Sequence, residues 1–231
     1  MPAYFEFSKD GAIATITFNR PDKRNPLNDE VILELEVLIH QVRDDREIRV
    51  LIVTGTGPAF SAGADLSATR GISDPLERAR VSRETAGRFP RLIGRVFEAI
   101  THLDALTIGA INGYAIGGGW SLALAFDFCI VVEGAEFWVP EVDMGVPYRG
   151  APAQLMAARM GPWRAREAIL ECRHYRAEEL AAMGLVNRVV KREELMSEAR
   201  ALAERLAKKP AAAVQGSKRD INSFFFGQRL F

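Results

Sequence analysis

Residues Asn112–Asp127 read NGYAIGGGWSLALAFD, and the chain reads most simply as an arrangement around them. Gly117, Gly118 and Gly119 stand between two apolar segments, the strand-like Leu106–Ile111 before them and the helix-forming Leu122–Phe126 after them. A strand that turns through glycines into a helix aims free backbone N–H groups at one point, with the helix dipole behind them. Such a point suits a phosphate, or a negative charge that develops during a reaction.

Outward from the glycines, the flanking pattern is that of an α/β protein. Ala3–Ser8 and Ala12–Phe18 read as strands around the turn Lys9-Asp10-Gly11. Asn28 or Asp29 caps a helix whose apolar face is Leu27, Val31, Leu35, Leu38, Ile39 and Val42. Val50–Val53 and Phe128–Val132 are short apolar runs of the kind buried in parallel sheets. A helix is expected from about Arg88 to His102, further helices at about 151–160, 163–171 and 177–183, and an extended piece at Arg188–Val190. Glu193–Lys208 is helical, with Leu195, Ala199, Leu202 and Leu206 on one face, and Pro210 breaks it. Strands alternating with helices argue for parallel strands and right-handed crossovers.

The totals narrow the function classes. The 231 residues suffice for one substantial core. With 30 Lys+Arg against 30 Asp+Glu, the chain lacks the basic excess of a nucleic-acid binder. Cys129 and Cys172 lie in apolar surroundings without metal-ligand spacing and read as packed thiols of a reducing compartment, so no metal is expected. No apolar run has the length of a membrane span, and the N-terminus has no signal pattern, so a cytoplasmic protein is expected.

Several motifs were weighed for chemistry. Val53-Thr54-Gly55-Thr56-Gly57 fails as a dinucleotide turn, because Phe60 stands where a third glycine is needed and Pro58 interrupts the entry to a helix. Gly119-Trp120-Ser121-Leu122-Ala123 resembles a nucleophile elbow without its last glycine, but the three histidines, His40, His102 and His174, read as surface or interface residues. Glu141, between Pro140 and Val142, is either a loop carboxylate or a group with a raised pKa suited to acid/base work. The arginines at 70, 78, 80, 83, 88, 91 and 95 read as a solvated helix face, or as a rim for an anionic ligand. Trp120, Trp138 and Trp163 read as packing residues, with Trp120 also placed to shape a pocket beside the glycines.

Three segments together resemble the crotonase, or enoyl-CoA hydratase/isomerase, superfamily: Ser61–Leu66, Asn112–Asp127 and Val139–Val146. Asn19-Arg20-Pro21 with Asn25-Pro26-Leu27, and Ala181–Val186, are similar to two further family segments. The resemblance covers nearly the whole chain in order. It implies an α/β fold, a crotonase-like ββα spiral core over residues 1–190, with a helical C-terminal segment at 191–231 that is shorter than the family usually has. It implies action on an acyl-CoA thioester with no cofactor beyond the CoA of the substrate, and a homo-oligomer, a trimer or hexamer. The aromatic residues Phe224, Phe225, Phe226 and Phe231 also point to burial in the fold or against a partner.

The resemblance further implies an oxyanion hole from the N–H groups of Ala64 and Gly118, and Glu141 as the proton-moving residue. Arg24, Asn25, Ala62, Asp65, Leu66, Gly117, Trp120 and Tyr148 are expected at the substrate and CoA. The family's hydratases carry a second glutamate, at the position held here by Ser121, which is left to orient water or a substrate hydroxyl. Hydration and double-bond isomerisation are therefore both expected. A feruloyl-CoA hydratase-lyase-like cleavage, a thioester hydrolase using Ser121, and a non-catalytic acyl-CoA binder are the alternatives.

Overall fold

The computed structural model describes residues 3–65, 67, 71–74, 76–77, 80–81, 84 and 88–226, with side chains through residue 223. Leu66, Arg70, Arg78, Arg83 and the side chains of Phe224, Phe225, Phe226 and Phe231, on which some expectations rested, lie outside the described residues.

The larger sheet has six strands in the order β1-β2-β3-β5-β7-β10. Strands β1 (Phe5–Asp10) and β2 (Ile13–Phe18) form an antiparallel hairpin whose turn starts at Gly11, with φ 56°. Strands β3 (Val50–Gly55), β5 (Leu106–Ile111), β7 (Phe128–Val132) and β10 (Arg188–Val190) continue from β2 in parallel. Every residue of β5 is buried, as expected of an interior strand covered on both faces.

The second sheet was not anticipated from the sequence. It consists of β4 (Ala59–Ser61), β6 (Tyr114–Ile116), β8 (Glu136–Trp138) and β9 (Tyr175–Arg176). Strands β4, β6 and β8 are parallel, and β9 closes the edge antiparallel to β8. Each of these three parallel strands follows directly on a strand of the large sheet, so β3–β4, β5–β6 and β7–β8 are successive turns of a spiral. Such short strands carry too few residues for period-two alternation to register.

Helices fill the crossovers. Asn28 caps α1 (Asp29–Asp44) by accepting from Val31 N at 2.9 Å. Helix α1 packs on α2 (Phe89–Thr101), and its nearly buried Glu36 is held by the Arg95 guanidinium at 2.6 and 2.8 Å. Helix α3 (Gly118–Ala125) is buried along its whole length. Helices α4 (Ala151–Met160), α5 (Pro162–Leu170) and α6 (Ala177–Ala182) follow. Helix α7 (Leu195–Ala207) lays Leu195, Ala199, Leu202 and Ala203 against β3, β5 and β7, so the C-terminal segment begins with a helix that completes the core. Cys129 and Cys172 are free and buried. Among the described residues no helix is long and apolar enough to cross a membrane.

The last helix, α8 (Ala211–Phe226), is held by buried polar groups. Lys218 Nζ reaches the Asp127 carboxylate at 2.7 Å and Ala105 O at 2.9 Å, and Asn222 donates to Thr101 O at 2.7 Å. The same carboxylate oxygen accepts from Thr107 N and Oγ1, tying α8 to the junction between α3 and β7. Removing one partner of a buried pair strands the other charge. Lys218→Ala is therefore expected to lower the free energy of unfolding by about 3 kcal/mol, read from urea denaturation.

Candidate active site

The parallel register of the small sheet brings the site together. Ala59 pairs with Tyr114 and Ser61 with Ala115, while Ala115 and Ile116 pair with Phe137 and Trp138. The chain leaves the carboxyl ends of these three strands side by side, through Ala62-Gly63-Ala64, Gly117-Gly118 and Val139-Pro140-Glu141. Segments distant in sequence thus converge at one edge, the usual place for a site on parallel strands.

Each backbone component is held for a reason that can be traced to its neighbours. A parallel bridge joins Leu27 to Ala64: Leu27 N donates to Gly63 O at 2.7 Å, and Asp65 N donates to Leu27 O at 2.8 Å. That pattern uses the groups on either side of Ala64 and turns its own N–H the other way. Gly63, at φ 75°, presses on the next loop, where a Cβ would lie 2.4 Å from Ile116 O and 3.4 Å from Gly118 N. Gly118 is the first residue of α3, so its N–H has no partner within the helix and points out along the positive end of the dipole. Gly117 precedes it at φ 50° and ψ −118°. A Cβ there would sit 2.3 Å from Glu141 Oε1.

Glu141 follows β8 and is half-buried. Its Oε2 is buried and, among the described residues, has no hydrogen-bond partner. Burial raises its pKa from 4.5 to about 7, against a smaller pull downward from its own backbone N–H. A carboxyl with that pKa is close to half ionised at neutral pH and exchanges protons readily.

Ala64, Gly118, Glu141 and Tyr148 line one cavity of about 140 Å³. Its walls include Phe89 and Ile93 of α2, Val146, Pro147 and Pro152. The α2 and α4 contributions were not foreseen, because a helix's apolar face shows in the sequence but not which cavity it covers. Tyr148 places its hydroxyl 2.9 Å from Gly117 O, to which it donates, and 2.5 Å from Ser121 Oγ. Burial, and then the neighbouring Glu141 carboxylate, push the Tyr148 phenol well above its ordinary value, so it remains a neutral donor.

Other expected residues do not reach the cavity. Ser121 is fully buried and is not among the residues lining the cavity, and its Oγ also lies 3.2 Å from Pro152 O. This corrects the expectation that Ser121 itself orients water or a substrate hydroxyl. Trp120 is 1% exposed and packs between Phe137 and Tyr175, which makes it a core residue. Asn25 is 0% exposed with φ 53°. Its amide accepts from Arg20 N and donates to Thr56 O and Ala59 O, so it shapes the loop and does not contact a ligand. Arg24 is exposed at the surface, and its carbonyl accepts from Ala62 N at 2.9 Å. Ala62 and Asp65 flank Ala64, with Asp65 accepting from Ser67 N. Of the arginine rim, Arg80 is paired with Glu77 and Glu84, and Arg95 with Glu36.

Known proteins share both the sequence pattern and the fold of this chain. The sequence profile of the enoyl-CoA hydratase/isomerase family matches residues 8–225. A short-chain-enoyl-CoA hydratase of Clostridium acetobutylicum is 33% identical over 215 residues, covering 93% of this chain and 79% of that protein. The crystal structure of an enoyl-CoA hydratase from Mycobacterium avium subsp. paratuberculosis superposes with a TM-score of 0.84 at 29% identity, covering 98% of this chain and 87% of that one. A monofunctional enoyl-CoA isomerase from M. smegmatis gives 0.78 at 27% identity, covering 96% and 93%. The family match over nearly the whole chain and the shared fold give the conclusion: the chain is an enzyme of the enoyl-CoA hydratase/isomerase family, in the crotonase superfamily.

Proposed function

We propose that the chain shifts the double bond of an enoyl-CoA thioester, with Glu141 carrying the proton between carbons. The observation that carries this reading is that Glu141 is the one carboxylate among the described residues lining the cavity. The thioester oxygen sits between the N–H groups of Ala64 and Gly118. Glu141 takes a proton from the carbon next to the carbonyl, the electrons move onto that oxygen as a dienolate, and the same carboxyl returns the proton at the far end of the conjugated system. Each oxyanion donor contributes about 3 to 4 kcal/mol at the transition state. The Oε2 of Glu141 supports its role, because no group among the described residues has to release it before it can accept the proton.

Hydration is the second reading, favoured by the hydratase named among the relatives. It needs a further polar group to hold the water, and besides Glu141 the polar residues among the described ones lining the cavity are Tyr148 and Arg149. Hydrolysis through Ser121 lacks support, since its Oγ is engaged with Tyr148 and Pro152 and no histidine is bonded to it.

A panel of 2-enoyl- and 3-enoyl-CoAs is expected to show double-bond migration faster than water addition, followed by NMR in deuterated solvent. Water addition without migration would select hydration instead. Glu141→Gln is expected to lower turnover by about a hundredfold or more while acyl-CoA binding is retained. Because the base must be ionised, wild-type kcat/KM is expected to rise with pH through about 7 and then level. A flat profile from pH 5 to 9 would remove Glu141 from the base role.

Assembly into a homo-oligomer, a trimer or a hexamer, belongs to the same proposal. Trp163, 80% exposed, and Leu170, 63% exposed, leave apolar area uncovered on α5. Sedimentation is expected to give a mass several times that of the chain, and a monomer at micromolar concentration would overturn this.

A further inference from the structure

We propose that Tyr148 is a positioning residue for the oxyanion site, acting through the Gly117–Gly118 peptide and not on the substrate. The proposal rests on the enolate reading above. Gly117 O, which accepts from the Tyr148 hydroxyl at 2.9 Å, and Gly118 N–H belong to the same peptide unit. That unit is planar, so whatever fixes the direction of its carbonyl also fixes the direction of its N–H. A hydrogen bond to the carbonyl also polarises the N–H on the other side, strengthening the bond that the N–H donates.

This peptide needs such a clamp. It joins two glycines, and no side chain restricts rotation about either residue. Gly117 N is fixed to Trp138 O at 2.8 Å on the strand side. On the carbonyl side the holds are Ser121 N, at 3.1 Å from within the helix, and the shorter bond from Tyr148. Glu141 lies against Gly117, so a tilt of this peptide would displace the donor relative to the base as well as to the substrate oxygen.

Counting protons gives the direction of the chain. Tyr148 and Ser121 have one hydroxyl proton each, and their 2.5 Å contact requires one of them. If Ser121 donates to Tyr148, Tyr148 donates to Gly117 O at 2.9 Å. If Tyr148 donates to Ser121, Ser121 must donate to Pro152 O at the longer 3.2 Å, and Gly117 O loses its second donor. The first arrangement makes the shorter bonds. In it, Ser121 feeds Tyr148, Tyr148 feeds Gly117 O, and the far end of the relay is the Gly118 N–H. This gives the buried serine a use that does not require it to touch the substrate.

The test separates ground-state binding from stabilisation of negative charge. Two ligands are titrated: a saturated acyl-CoA, and a 3-ketoacyl-CoA whose bound enolate is followed by its ultraviolet absorbance. Tyr148→Phe keeps the ring and removes the donor. It is expected to bind the saturated ligand within about twofold of wild type, to lose roughly five- to tenfold in affinity for the enolate, and to slow exchange of the α-proton by a similar factor. Ser121→Ala removes the hydroxyl that feeds Tyr148 but keeps the bond to Gly117, and is expected to lose less, about twofold. Thermal unfolding and saturated-ligand affinity show whether each variant is folded, and Ser121→Ala carries the test if Tyr148→Phe is not. Equal losses for both ligands, no loss for the enolate, or a larger loss in Ser121→Ala than in Tyr148→Phe would each overturn the proposal. A wild-type protein with neither enolate preference nor α-proton exchange would overturn the enolate reading itself, and the role of Tyr148 with it.

Discussion

The close approach of Gly117 to Glu141 is the constraint on which the rest of the site depends. A Cβ at Gly117 would lie 2.3 Å from Glu141 Oε1, so any other residue there would displace the carboxylate from this position. The φ of 50° that starts α3 there also leaves the next N–H, that of Gly118, pointing out of the helix. One residue therefore fixes both where the donor points and how near the base stands. The parallel pairing of β4, β6 and β8 then brings the loop of Ala64 to the same place.

The chemistry follows from water exclusion as much as from position. Glu141 is the kind of buried polar group that a stable fold ordinarily avoids: one oxygen is buried without a partner among the described residues, and burial raises its pKa to about 7. The surrounding structure tolerates that cost because β8 and its neighbours hold the loop, and Val146 N closes the turn on Glu141 O at 2.8 Å. A fully solvated carboxylate at the same place would be a much weaker base at neutral pH. Ala64 and Gly118 line the same cavity as this acid.

The pairing of Ser121 with Tyr148 changes how the serine is understood. By sequence it occupies a position at which a carboxylate is expected in two-glutamate hydratases. In three dimensions it is a fully buried residue of α3, and its Oγ bonds the Tyr148 hydroxyl. Among the described residues lining the cavity, Glu141 is the one carboxylate.

Much of this was legible along the chain, because it depends on local pattern. The glycines between a strand and a helix announced a tight turn into a helix N-terminus, the apolar runs of β3, β5 and β7 announced a parallel sheet, and Glu141 stood out among apolar neighbours. Ser121 and Trp120 were misplaced, since adjacency to the glycines does not tell which face of a helix meets the cavity; α3 buries every side chain it has. Asn25 was read as a ligand contact because a polar residue in a loop gives no sign that its amide is engaged with the backbone. The small sheet, the reach of α2 and α4 into the cavity, and the bond from Tyr148 to Gly117 join segments far apart in sequence, and only the tertiary structure decided them. Sequence by itself determined which residue types were available and where the backbone could turn. Their convergence came from strand register and packing, which are long-range contacts that no local spacing encodes.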